Sequence, residues 1–202
     1  MTVEVQRGYA KGRAKREQIV EEAMTLFGEV GYRAASLREI AARCGMSHPG
    51  LLHHFPSKEH LLRAVLEHRD RVDERRYALE EGTGIERLGH LVELVAHNAE
   101  VPGIVELYAI LSAEASAADH PAHDYFVARY RRTRRALTED FTLARADGRL
   151  VPGADPADLA VAAIALVDGL QVQWLLDRSS VDMPRALDRF LALVVVDWPV
   201  PD

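Results

Sequence analysis

The sequence is poor in cysteine, in lysine, in uninterrupted apolar runs and in β-type alternation, and each shortage removes a class of protein. Cys44 is its single cysteine in 202 residues, so no intrachain disulfide can form and a reducing, cytoplasmic setting is expected. The longest apolar run, Leu159 to Val167, stops at Asp168, well short of the roughly 20 residues that span a bilayer. No secretory leader pattern is present either, so no membrane association is expected. Apolar residues recur at intervals of three and four rather than two, which leaves no convincing strand. Also missing are the spacings that enzyme chemistry needs. The "GTG" at Gly82–Gly84 lacks the rest of a dinucleotide fingerprint. The pairs His53–His54 and His120–His123 have no Cys or His partner that completes a zinc spacing. No paired carboxylates and no nucleophile–histidine arrangement stand out. The expectation is a protein with no cofactor, no metal and no catalytic residue, that is, not an enzyme.

What is present is 48% hydrophobic and 28% charged, with a net charge of −6, a globular composition with uneven charge. Residues 1–60 carry a balance of +2 and the remainder −8. The first sixteen residues hold Arg7, Lys11, Arg13, Lys15 and Arg16 against one acid, Glu4. An acidic chain with a basic front end points to an anionic partner at that end.

The periodicity predicts helices throughout. The first runs from about Arg13 to Val30, with Ile19, Ala23, Met24 and Phe27 on one stripe and Gly31 as its stop. Ser36 opens a second as a cap, and Glu39 three residues on completes a capping-box pattern. That helix ends near Arg43, where Gly45 suits the left-handed corner. Ser47 caps a third, with Pro49 tolerable in its first turn. Pro56 closes it, and Ser57 caps a fourth from Lys58. Further helices are predicted near 58–79, 84–99, 102–117, 122–147, 156–177 and 183–196, separated by Gly and Pro. Two short helices joined at a glycine corner make a helix-turn-helix, although the spacing alone also suits an ordinary bundle corner. The last two helices are apolar on more than one face. They are either the central helices of a larger core or half of a four-helix dimer interface, the reading preferred here.

The stretch "LFGEVGYRAASLREIAARCGMSHPGLLHHFPSKEHLL", Leu26 to Leu62, resembles the DNA-binding domain of TetR-family transcriptional regulators. Phe27, Gly31–Tyr32, Ser36, Ile40–Ala41, Gly45, Ser47, His54–Phe55 and Ser57–Lys58 all fall in place, and "DGLQVQ" late in the chain is similar as well. The resemblance implies an all-α protein. Its parts would be a three-helix DNA-binding domain, taken as 1–56, and a larger helical domain, 57–202, that binds a small effector and forms a homodimer. It implies a regulator, commonly a repressor, released from a palindromic operator by a ligand. The rival is an all-α enzyme or carrier whose front domain is only scaffold. Many members carry a tyrosine two residues before the His54 position, where this chain has Leu52.

Within that frame Leu51 and Phe55 should face the core. Ser47, His48, Pro49, Leu52, His53 and His54 form the reading segment. A bidentate Arg or Lys on guanine is the commonest specific contact, and this helix has neither. Arg38 is the nearest such donor. Ser36 and Lys58, at or beside helix starts, suit phosphates, and Lys11 and Arg13 suit a flexible arm. Tyr108, Tyr125, Phe126 and Trp174 are candidates for an effector pocket, and Leu170, Trp174, Phe190 and Leu193 for the dimer interface. Arg33 and Arg43 read as solvated charges. The arginine run Arg129–Arg135 reads as a solvated face spread around its helix rather than a second nucleic-acid site.

Overall fold

Proline, glycine and capping side chains divide the chain almost where its pattern says they should. The structure is a computed structural model. It describes the backbone of residues 2–76, 82 and 84–199, and side chains from residue 12 onward except at 76. The helices are α1 (Thr2–Ala34), α2 (Leu37–Arg43), α3 (His48–His54), α4 (Lys58–Arg76), α5 (Ile85–Asn98), α6 (Pro102–Glu114), α7 (His123–Ala146), α8 (Pro156–Leu176) and α9 (Met183–Val194). Among the described residues the only extended pairing is an isolated antiparallel bridge, Leu150 with Val195. It takes over where α9 was expected to continue to 196. The expected end of the fourth helix, 77–79, lies outside the described residues.

Gly31, with φ 78° and ψ 157°, breaks α1 where the stop was expected. The front of α1 differs from expectation, since the helix reaches back to Thr2 and takes in the segment read as a flexible arm. The chain divides into two compact units, Met1–Asp70 and Arg71–Asp202. The division therefore falls inside α4 rather than at Pro56. The reason is burial: Leu61, Leu62, Val65 and Leu66, all on the first half of α4, are fully buried and belong to the first unit.

In the first unit α2 packs against both α1 and α3, around Ile19, Leu26, Phe27, Ile40, Leu51 and Phe55. At roughly 1.5–3 kcal/mol for each large apolar side chain buried, this cluster holds two seven-residue helices too short to persist alone. In the second unit α7 and α8 form the principal pair, and α9 packs on α5 and α8. Their core includes Leu88, Phe141, Leu170, Trp174, Leu187 and Leu191. Asp188 is buried there but satisfied, accepting from the Trp198 indole N–H at 2.8 Å.

Candidate functional site

The corner between α2 and α3 is built from backbone hydrogen bonds that only a left-handed residue permits. Gly45 has φ 62°; its N–H reaches Ala42 O and the Met46 N–H reaches Ala41 O at 2.9 Å, the pairing of a Schellman turn. Ser36 Oγ accepts from the Glu39 N–H at 3.1 Å, and Ser47 Oγ from the Gly50 N–H at 3.2 Å. The capping box is one-sided, because the Glu39 carboxylate turns to Arg43 at 3.2 Å instead of back to the cap. A side chain outside the motif also braces the corner: Lys15 on α1 donates to the Cys44 carbonyl at 2.7 Å. No local pattern announces a contact across 29 residues. Burial pushes the Cys44 thiol up, which marks it as a packed rather than a reactive group.

Leu51 and Phe55 are buried as expected, and the Arg16 guanidinium covers the Phe55 ring, 4.2 Å from its centroid. The opposite side of α3 presents Pro49 and His53 to solvent, with His48, Leu52 and His54 half-buried beside them. Arg38 and Ser36 are exposed on α2, and Arg13 is exposed on α1. The Lys11 side chain lies outside the described residues. Lys58 is already engaged within its own unit. It donates to the Arg33 carbonyl at 3.1 Å and sits 4.5 Å over the Tyr32 ring, where burial lowers its pKa against the pull of Glu59. Tyr32 beneath it is pushed up to about 12, first by burial and then by Glu59. Arg43, read as solvated, is paired with Glu29 at 2.7 Å and with Glu39.

In the second unit three of the four candidate pocket residues meet. The Tyr108 and Tyr125 hydroxyls are 3.1 Å apart, and both rings stand edge-on to Phe126. The sequence pattern did not single out two members of this group. Tyr130, one turn beyond Phe126, donates to Asp168 on α8 at 2.7 Å, and Arg129 lies over the Tyr108 ring at 5.2 Å. Burial pushes the Asp168 carboxyl up, against the Tyr130 hydrogen bond and the nearby Arg129; Tyr130 is itself raised to about 12, chiefly by burial. The i, i+4 spacing of Phe126 and Tyr130 was the available signal. Trp174 sits in the second unit's core cluster under Arg178.

Of the residues assigned to an interface between copies, Leu170 and Trp174 are buried within their own protomer, and Phe190 packs against the same core. Leu193 is the one that faces out, at 75% exposure. Val161, Val172 and Leu176 on α8 are exposed as well, which periodicity alone did not mark, Leu176 at 84%. Over its 21 residues α8 is long and apolar enough to cross a membrane by length and composition. This corrects the expectation drawn from uninterrupted runs, which counted Asp168 as an end rather than a single interruption.

Comparison with known proteins gives this geometry its context. Residues 19–65 match the family model for bacterial regulatory proteins of the tetR family, and residues 85–195 match that for the C-terminal domain of BetI-type transcriptional repressors. The chain belongs to the TetR family. It is a DNA-binding transcriptional regulator, and members of its family are regulators rather than enzymes. The regulator is 28% identical over 188 residues to the HTH-type transcriptional regulator BetI 2 of Chromohalobacter salexigens, covering 91% of this chain and 87% of the relative. It is 25% identical over 186 residues to the transcriptional repressor KstR2 of Mycolicibacterium smegmatis, covering 90% and 89%. Among solved structures, a regulator from Saccharomonospora viridis in complex with choline aligns with TM-score 0.76 at 24% identity, covering 89% of this chain and 97% of that one. SmeT in complex with triclosan, a repressor from Stenotrophomonas maltophilia, aligns at 0.77 and 24%, covering 94% and 100%. At that identity the two structures speak for the fold.

Proposed function

We propose that the regulator is a cytoplasmic homodimeric repressor that holds a palindromic operator through α3 and its flanks, and leaves it when a small molecule occupies the second unit. The observation that carries this reading is the doubly capped corner. Leu51 and Phe55 anchor α3, and the opposite side, Pro49 and His53 with Leu52, is left outward and free of acid. Base readout rests on His48, Leu52, His53 and Arg38, and backbone contact on Ser36, Ser47, Lys58 and Arg13. The exposed apolar residues of α8 and α9 take a second copy of the chain rather than lipid, because Asp168, midway along α8, is tied to Tyr130. Binding of the purified protein to duplexes from its own promoter region tests the function. A protein with equal affinity for promoter and unrelated duplex is not an operator-binding repressor.

Lys58 gives a sharper test. A lysine that must leave a ring face and a carbonyl to meet phosphate loses part of what it gains. Lys58→Ala is expected to make the slope of log affinity against log salt shallower by about 0.9 per half-site. An unchanged slope assigns Lys58 wholly to its Tyr32 and Arg33 contacts.

The effector site is the group of Tyr108, Tyr125, Phe126, Tyr130 and Asp168. Phenol hydroxyls, ring faces and a carboxylate whose ionisation burial opposes suit a small effector that donates hydrogen bonds or carries positive charge. A hundredfold loss of operator affinity requires about 2.7 kcal/mol of differential binding between the two states. Choline, the ligand of the Saccharomonospora viridis regulator, is a first probe. If a cation is the effector, Asp168→Asn raises the concentration needed for release at least tenfold, with operator affinity unchanged. Release at the wild-type concentration removes Asp168 from the site.

A further inference from the structure

The arginine run on α7 divides into two groups that its sequence does not separate. Arg129 lies over the Tyr108 ring and Arg132 is 3.9 Å from Glu74, so both are engaged within the second unit. Arg131, Arg134 and Arg135 are exposed, as is Arg145 further along. No side-chain hydrogen bond or ion pair from these four is found among the described residues. At 100° per residue they fall, with Thr138 and Thr142, inside an arc of about 100°, along about 21 Å of helix. The stripe cannot rotate away, because Phe126, Leu137, Phe141 and Ala144 on the other side of α7 are buried. Glu139, an acid close to the stripe on α7, has its carboxylate 3.8 Å from Arg87. The run is therefore not spread evenly around its helix, and an exposed basic face stands on the acidic part of an acidic protein.

We infer that this stripe is a second contact surface for the phosphate backbone of double-stranded DNA, separate from the reading helix and indifferent to sequence. Like charges at i, i+3 and i, i+4 spacing repel one another, and a polyanion turns that repulsion into attraction by releasing its own counterions. Guanidinium groups pair with phosphate oxygens bidentately. A protein partner is disfavoured because the stripe has no aromatic or large apolar anchor of the kind that dominates protein–protein energetics. A lipid surface is disfavoured because a membrane-lying helix needs an apolar face to insert, and that of α7 is already spent in the core. Reading-helix chemistry points the same way: α3 contains no Arg or Lys, so cations that fasten the protein to a duplex have to come from elsewhere. This surface extends the operator-binding reading without depending on it.

The test compares the intact wild-type protein with Arg131→Gln/Arg134→Gln/Arg135→Gln on a long non-operator duplex over a range of salt. With three fewer cations on phosphate in each engaged protomer, the salt slope becomes shallower by about 2.7. The operator preference of the variant rises, because non-specific affinity falls further than specific affinity. The Arg→Lys triple variant keeps the wild-type slope, since a point charge still neutralises phosphate. Thermal melts check the fold; should the triple variant be unstable, Arg134→Gln alone lowers the slope by about 0.9. A wild-type slope in the glutamine variant overturns the inference. So does capture of wild type but not variant by phosphatidylserine-containing vesicles while the duplex slope stays the same. Failure of the operator reading looks different: wild type then shows no preference for the promoter duplex, whatever α7 does.

Discussion

Leu193→Glu yields a folded monomer that has lost most of its operator affinity. Leu193 is 75% exposed in the protomer, so the substitution removes little from the core of a single chain. In a two-fold interface the residue is buried twice, once in each copy. Each glutamate must then be desolvated without a partner or left as a defect, at about 2–3 kcal/mol apiece. A total of about 4–6 kcal/mol weakens association by roughly 10³- to 10⁴-fold, enough to move a tight dimer to monomer at micromolar concentration. Operator affinity falls with it, because a palindromic site rewards two reading heads held at a fixed spacing. Leu176→Glu, at the outer end of α8, acts in the same direction. Leu170→Glu does something else: Leu170 is 6% exposed inside the protomer, so its replacement unfolds the second unit instead of separating two copies. Light scattering and a thermal melt distinguish the cases. A Leu193→Glu protein with the mass of a dimer rules out α9 as the interface.

Asp140→Ala lowers stability by about 3–5 kcal/mol, the second large effect. The Asp140 side chain is 4% exposed on α7, and its carboxylate is paired with the Arg87 guanidinium of α5. Burial pushes the Asp140 carboxyl up, while Arg87 pulls it back. Removing the acid leaves a guanidinium, 16% exposed, whose remaining carboxylate among the described residues is Glu139 at 3.8 Å. At about 2–4 °C per kcal/mol for a chain of this size, the melting temperature drops by roughly 10 °C. The double variant Arg87→Met/Asp140→Leu recovers most of the loss, because two packed apolar side chains need no desolvation. If the double variant melts as low as the single one, the pair acts through geometry that packing cannot replace. Gly84 lies against the same place, with a Cβ there meeting Leu143 Cβ at 3.4 Å, so α5 starts in close contact with α7 and the pair fixes that approach.

Local signals in the amino-acid sequence determined the helical class, the element order and the position of the reading corner. Ser36, Ser47, Gly31, Gly45 and Pro56 act on their nearest neighbours, through a cap bond, a left-handed φ or a missing N–H, and such effects depend little on what lies beyond the turn. The motif around them was enough to place the chain in its family. Which way each side chain looks was decided only by tertiary packing. Lys58 rests on the Arg33 carbonyl and Lys15 on the Cys44 carbonyl because chain segments 25 and 29 residues apart come together. Leu170 and Leu193 are both leucines on the last two helices, yet one is core and the other surface. When apolar residues occupy more than one face, periodicity no longer tells the inner face from the outer. Arginines 129 to 135 carry the same ambiguity: α7 buries one side against α8 and α5, and that choice turns three of them into a single exposed stripe.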